Sequence, residues 1–261
     1  MFSHSDNLDG KIHGNYKSQI TFFERFKVNH YLPWREANLK IAGISRQDIL
    51  KKVKLLEKYY KAVDDANDCK RPGRQSIGWI TFQSKFRPSV LEEFCYYLLK
   101  DLPEIKRLGL EFRKKKIHAG FEINSKGEII SCEKDVDCCI VKAAKGEIEK
   151  KKFLLIIPII AIECKTYLDG TMWNESQYSA MLLKKANSSA KVYVLTEDNQ
   201  VKLSKITQES PVNDIFVIRD VDSSKIDTDV VTSFLDQIRK DLQVLVNPGI
   251  IKIPGRLINY C

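Results

Sequence analysis

Glu163 and Lys165 stand two residues apart at the end of Phe153-Leu-Leu-Ile-Ile-Pro158-Ile-Ile-Ala-Ile162, an apolar run suited to a buried strand. Period-two alternation puts both on one strand face. Charges at the end of so apolar a strand are costly unless they pair or hold a metal. Upstream, Lys134-Asp135-Val136-Asp137 leads into a second apolar run, Cys138-Cys139-Ile140-Val141. Two carboxylates and a lysine converging at strand ends form the group that metal-assisted phosphodiester hydrolysis requires.

The Glu-x-Lys triplet carries no weight alone, because the chain also has Glu104-Ile-Lys106 in a polar turn after Pro103 and Glu149-Lys-Lys151 in a hairpin loop. Only Glu163-Cys-Lys165 ends a buried strand beside an acid-tipped one, with 25 residues between Asp137 and Glu163. Hairpin pairing of the two strands brings these carboxylates close enough to share one hard cation, with water completing its coordination. Crowded carboxylates repel, so a cation or the lysine is called for. Lys165 then polarises or deprotonates an attacking water, or stabilises the pentacovalent phosphorane. A salt bridge at the sheet rim fits these spacings equally well. Asp135 shares the face of Asp137 but lies one step further from the apolar core. Glu92 or Glu93 offers a third carboxylate from a flanking helix, although Ser89 and Glu92 also stand at capping-box spacing.

The elements that must position these groups are legible from periodicity. Residues 1–20 are polar and are expected to order only against a partner or DNA. From Thr21 to Ala66, Phe22, Phe23, Phe26, Ile49, Leu50, Val53, Leu56, Tyr59 and Tyr60 recur at helical steps. Lys51, Lys52, Lys54 and Lys58 among them read as a solvated face. Asp68-Cys-Lys-Arg-Pro-Gly-Arg74 is a basic, turn-rich boundary, so 1–74 is expected to be a helical, DNA- or partner-contacting region and 75–261 the core. A helix is expected after Pro88, with Leu91, Phe94 and Leu98 buried. Strands follow at Gly120–Ile123, Glu128–Cys132, Asp137–Val141 and Phe153–Ile162, the last two joined by a polar loop, Ala144–Lys152. A helix at Thr171–Ala186, strands at Lys191–Thr196 and Asp214–Ile218, and a closing amphipathic helix at Val230–Val246 complete an α/β fold with a mixed central sheet flanked by helices.

The chain has 261 residues, 43% of them hydrophobic and 10% aromatic, which excludes a disordered polymer. Its formal charge of +9 favours a polyanionic partner, nucleic acid before anionic membrane. The seven cysteines form no CxxC pair and no Cys/His grouping of zinc-site spacing, and read as reduced thiols of a cytoplasmic protein. The N-terminus has no signal-peptide pattern, and no apolar run approaches the length of a membrane span.

Asp137…Glu163-x-Lys165, with a helix-borne Glu upstream, resembles the PD-(D/E)XK nuclease superfamily. Phe86-Arg-Pro-Ser-Val-Leu-Glu-Glu-Phe-Cys-Tyr-Tyr-Leu98, Lys134-Asp-Val-Asp137, Ile157-Pro-Ile-Ile-Ala-Ile-Glu-Cys-Lys-Thr-Tyr-Leu168 and Met172-Trp-Asn-Glu-Ser176, leading into Lys191-Val-Tyr-Val-Leu-Thr-Glu197, are similar to the Bpu/BbvCI-type restriction endonucleases. The likeness runs from about Pro88 to Glu197. Val136 stands where the superfamily's motif name has Pro. The resemblance implies a restriction-endonuclease-like core and a type II enzyme that cuts double-stranded DNA within a short sequence using Mg²⁺, leaving a 5′-phosphate. It also implies that Asp137 and Glu163 bind the metal, that Lys165 is the catalytic lysine, and that Glu92 is the auxiliary helix acid. Some members work as two unlike subunits, so a homodimer and a heterodimer with a related subunit both remain open. A structure-specific repair or recombination nuclease, and a non-catalytic basic DNA-binding protein, are the competing readings. Base-edge and phosphate contacts would come from Lys70, Arg71 and Arg74, from Gln83–Arg87, from Arg113–Lys116, or from the helix bearing Asn174, Gln177 and Lys184.

Overall fold

A computed structural model of the protein describes residues 2–14, 17–68, 86–148, 150–202, 209–219, 225–246, 252–253 and 256–257. The N-terminal part is helical: α1 (Ser3–Ile12), α2 (Lys17–Phe26), a π-helical turn (Lys27–Tyr31), α3 (Leu32–Lys40) and α4 (Arg46–Asp68). Then come α5 (Phe86–Leu99), α6 (Pro103–Arg107), β1 (Glu111–Arg113), β2 (Ile117–Ile123), β3 (Ile129–Lys134), β4 (Cys138–Ile148) and β5 (Lys151–Leu168). The chain continues through α7 (Gly170–Ala186), β6 (Lys191–Asn199), β7 (Asp214–Val217) and α8 (Thr228–Val246).

The main sheet has the order β1-β4-β5-β6-β7. β1, β4 and β5 pair antiparallel, whereas β5, β6 and β7 pair parallel, so α7, the helix expected at Thr171–Ala186, is the crossover between β5 and β6. This is the expected mixed α/β sheet flanked by helices. Alternation along the strands divides the core in two. Cys138, Ile140, Ile160, Ile162, Tyr193 and Leu195 pack with the N-terminal helices, α5 and α8. Cys139, Val141, Ala161, Val192 and Val194 pack with Trp173, Ala180 and Leu183 of α7. Pro158, which has no N–H to give, lies opposite Val141 where the β4–β5 register shifts, and this bulge accommodates a proline inside a central strand. Ile156 before the bulge and Ala161 after it then serve the same core layer, an even and an odd position on one face.

Several expectations change. First, β4 and β5 pair as far as Ile148↔Lys151, so the expected polar loop 144–152 is mostly a solvated two-stranded ribbon. Its charged side chains hid the strand because neither face needs to be apolar. Second, α5 already includes Pro88, in its first turn, where a missing N–H costs nothing. Ser89 and Glu92 form no capping box there: Ser89 Oγ donates to the Phe86 carbonyl at 2.6 Å, and Glu92 pairs with Lys114.

Third, the N-terminus does not wait for a partner. α1 lies on α5 and buries His4 and Leu8 completely. Ser89 spends its one proton on Phe86, so it accepts from His4 Nδ1 at 2.9 Å, which leaves His4 Nε2 to accept from the Tyr59 hydroxyl at 2.6 Å. The His4 backbone N–H donates to Glu93 Oε2 at 3.1 Å. Because α1 covers what would be its solvent face, α5 is buried nearly all round rather than along the expected Leu91/Phe94/Leu98 stripe. The hydrophobic core is accordingly continuous from Leu8 through α5 to Ile162 and Leu242. The expected boundary at 74–75 falls outside the described residues.

Arg87, expected among the DNA contacts, is 3% exposed. Its Nε and Nη2 donate to Glu197 of β6 at 3.1 and 3.0 Å, its Nη1 to Asp64 of α4, and its guanidinium lies 4.6 Å from the Tyr60 ring centroid. The basic side chain thus clamps α4 and α5 to the sheet. Asp68, at the other side of the gap in the described chain, ends α4.

The neutral His4 and the paired Arg87 are both buried, and each has a testable consequence. Burial lowers the His4 pKa to about 3, so between about pH 6.5 and 3 the unfolded chain binds a proton that the folded one refuses, and stability falls with pH across that window. Urea titrations at pH 7 and pH 5 should show the wild type losing about 2 kcal/mol more than His4→Gln; parallel losses in the two proteins would contradict the assignment. Arg87→Ala should cost about 3–5 kcal/mol by leaving a buried carboxylate short of its partner. Near-wild-type stability with weakened DNA binding would restore Arg87 to the DNA surface.

Candidate active site

β5 does not stop at Ile162 as expected but runs through Glu163 and Lys165 to Leu168, paired with β6, so the start of β4 and the interior of β5 position the acidic groups. Asp137 immediately precedes β4, just beyond the last ladder pair Cys138↔Ile162, and its Oδ2 accepts from the Cys164 backbone N–H at 2.8 Å. That bond extends the β4–β5 pairing by one side chain and fixes the carboxylate against β5. Glu163, on the face covered by α7, is held through both oxygens: Oε2 by Lys165 Nζ at 3.1 Å and Oε1 by Ser179 Oγ at 2.7 Å. Lys165 Nζ also lies 3.9 Å from Asp137 Oδ2, so one ammonium serves both carboxylates.

Burial, then the charges of Glu163 and Glu92, hold the Asp137 carboxyl well above the usual carboxylate range, against the pull of Lys165 and the Cys164 N–H. Burial opposes the charge on Lys165, but Glu163 and Asp137 outweigh it and raise its pKa, so Lys165 is an ammonium. Burial pushes the Cys164 thiol up to about 12, which leaves it a neutral packing group between two functional neighbours.

Asp137, Cys164 and Lys165 line a cleft of about 690 Å³, with Asn7 of α1, Glu92 of α5, and Lys114 and Lys115, while Glu163 is buried behind Lys165. Glu92 faces this cleft, its Oε2 paired with Lys114 Nζ at 2.5 Å; Lys114 also reaches Ser3 of α1. Glu93 does not face it: buried, and with its pKa raised chiefly by that burial, it accepts from the hydroxyls of Tyr31 and Tyr97 and the His4 N–H. Asp135 also lines the cleft, with Oδ1 accepting from the Lys116 N–H at 3.2 Å. Among the described residues no group of three or more His, Cys, Asp or Glu is spaced to hold a metal, so the donors at the centre are two carboxylates, with Glu92 engaged by Lys114.

The other triplets are elsewhere. Glu104 is in α6, a short helix rather than the expected polar turn, and is buried against Gln243, while Glu149 lies outside the described residues. Of the expected DNA contacts, Lys70, Arg71, Arg74 and Gln83 also lie outside them. Arg113 is exposed and pairs with Glu111; Lys114 and Lys115 line the cleft; Asn174, Gln177 and Lys184 of α7 do not.

Sequence reasoning missed Ser179, Lys114 as the partner of Glu92, and the α1 wall of the cleft. A signal for Ser179 was present: Ser176 and Ser179 interrupt the apolar stripe of α7 formed by Trp173, Ala180 and Leu183. Polar side chains on a buried helical stripe require partners across the interface. Among the described residues no helix is long and apolar enough to cross a membrane.

No curated protein matches the chain. A solved structure, the native BbvCI A2B2 tetramer at low resolution, has the same fold: TM-score 0.69 at 16% identity, covering 96% of this chain and 97% of that one. The family model of the Bpu10I restriction endonuclease matches residues 83–240, a span that holds Glu92, Asp137, Glu163, Lys165 and Ser179. On that match, over more than half its length, the chain belongs to the Bpu10I restriction endonuclease family.

Proposed function

We propose that this chain is a type II restriction endonuclease that hydrolyses double-stranded DNA within a short specific sequence, with Mg²⁺, at the centre formed by Asp137, Glu163 and Lys165. The observation that carries this reading is the single ammonium of Lys165 set 3.1 Å from Glu163 and 3.9 Å from Asp137 at the floor of an open cleft. A purely structural ion pair has no need of a second carboxylate whose pKa is driven upward by burial and by the neighbouring acids.

The donor set fits magnesium, a hard cation that is commonly held by one or two carboxylates and keeps several waters. Asp137 and Glu163 would hold it, and when bound it supplies Lewis-acid activation of water and of the phosphate oxygens. Water oxygen bonds to phosphorus as the P–O3′ bond breaks, and the proton ends on the departing 3′ oxygen, leaving a 5′-phosphate. Lys165, a cation here, donates to the attacking water or to the phosphoryl oxygens as negative charge grows on them. The deprotonating role considered for it is disfavoured by its raised pKa. Glu92 acts as an auxiliary acid once Lys114 turns to a DNA phosphate. The net charge of +9 supports a DNA partner.

One such centre per chain cuts one strand, so cleavage of both strands calls for two chains, either identical copies or a related second subunit. The A2B2 assembly of the similar BbvCI structure supports a multimer. The free thiols of Cys95, Cys132, Cys138, Cys139 and Cys164 support a cytoplasmic setting.

Plasmid incubated with the protein and Mg²⁺ should yield discrete bands, or a site-specific nick if a second subunit is needed, and chelator should stop it. Asp137→Ala and Glu163→Ala should abolish cutting, and Lys165→Ala should slow it at least ~10²-fold. DNA affinity measured in Ca²⁺ should stay within a few-fold of wild type. Wild-type cutting by Glu163→Ala would overturn the assignment. Cleavage of branched DNA alone would favour a repair nuclease, and a metal-independent shift without cutting a binding protein.

A further inference from the structure

We infer that Ser179 of α7 is a positioning residue that fixes the carboxylate of Glu163 for cation binding; the inference rests on the reading of the site given above. Ser179 Oγ lies 2.7 Å from Glu163 Oε1, and both side chains are buried, at 2% and 7% exposure. The carboxylate is gripped from two directions: by the hydroxyl from the helix, and by Lys165 from its own strand. The two grips differ in kind. Lys165 also faces Asp137 and the cleft, so its ammonium has other partners to turn to when a phosphate arrives. Ser179 is neutral, and its one proton has gone to Glu163. A neutral donor leaves the full anionic charge on Glu163 for a cation while fixing the plane in which its oxygens lie.

The frame behind Ser179 is firm. Asp169 caps α7, accepting from the Met172 N–H at 2.8 Å, and at the far end Asn187 Nδ2 donates to the Pro158 carbonyl of β5 at 2.8 Å. Trp173, Ala180 and Leu183 pack the helix onto the sheet between these ties. The helix is thereby fastened to the strand that bears Glu163, and the distance from Ser179 to Glu163 is set by both ends. One turn earlier, Ser176 is just as buried on the same stripe, yet its Oγ has no hydrogen-bond partner among the described residues. Helix packing alone therefore does not account for the Ser179 contact, and Ser176 supplies a control within the same helix.

The test is Mn²⁺ binding to the full chain, read from the free Mn²⁺ signal by electron paramagnetic resonance, for wild type, Glu163→Ala, Ser179→Ala, Ser179→Thr and Ser176→Ala. Ser179→Ala should bind Mn²⁺ about 10-fold more weakly, Ser179→Thr should lie closer to wild type, and Ser176→Ala should match it. In single-turnover cleavage, Ser179→Ala should need more metal for half-saturation while its rate at saturating metal stays within a few-fold. Wild-type Mn²⁺ affinity in Ser179→Ala, with affinity lost in Glu163→Ala, would overturn the inference and leave the site standing. Equal weakening in Ser176→Ala and Ser179→Ala would also overturn it, as general loosening of the helix. Unchanged affinity in Glu163→Ala would overturn the reading of the site, and the inference with it.

Discussion

Everything at the site turns on one ammonium placed between two carboxylates where the start of β4 meets the interior of β5. Two acids crowded together at a partly buried site repel one another, and burial first, then this repulsion, raises the pKa of Asp137. Lys165 offsets it in the absence of a metal, and the Cys164 N–H offsets it further at Asp137 Oδ2. The geometry is inexpensive to maintain because it is an extension of backbone pairing. β4 and β5 run antiparallel up to Cys138↔Ile162, and the next residues on each strand are the functional ones. Sheet hydrogen bonds therefore set the separation of Asp137 and Glu163, while α7, through Ser179, sets the orientation of Glu163.

The helical N-terminal part shapes the site indirectly. α5 lies between the sheet and α1, and it sends adjacent acids to different tasks. Glu93 collects three donors inside the core, from Tyr31, Tyr97 and the His4 backbone, and so anchors α1. Glu92, one residue before it and rotated toward the opening, meets Lys114 in the cleft. The wall formed by α1 is in place in the isolated chain, because a neutral histidine at its start completes a buried hydrogen-bond chain with Ser89 and Tyr59. Only the neutral ring fits that chain, which makes acid the natural means of undocking it.

Where local pattern and tertiary demand coincide, the sequence was legible. The apolar run through Ile162, the acid at the start of β4, the helix between β5 and β6 and the amphipathic α8 are all legible in the sequence, and the structure has each of them. The continuation of β5 past Glu163 and Lys165 to Leu168 was not, because those charges interrupt the apolar run that marked the strand. The features that escaped are those in which a side chain's partner is distant in sequence. Arg87 looked like a surface cation because charge reveals nothing about pairing, and Glu197 is 110 residues away. The polar first helix looked disordered because its stability comes from His4 and Leu8 meeting α5, not from its own composition. The β4–β5 ribbon looked like a loop because a strand that is solvated on both faces carries no apolar alternation. Ser179 is separated from Glu163 by the end of β5, Asp169 and more than two turns of α7, and only an interrupted stripe hinted at it.

The central claim is that Asp137 and Glu163 together hold a divalent cation beside Lys165. Anomalous scattering from crystals of the protein grown with Mn²⁺ tests it most directly. The account predicts a peak within ligand distance of carboxylate oxygens from both residues, with Lys165 Nζ turned toward the cleft. A peak elsewhere, with Lys165 still bridging two cation-free carboxylates, would contradict it.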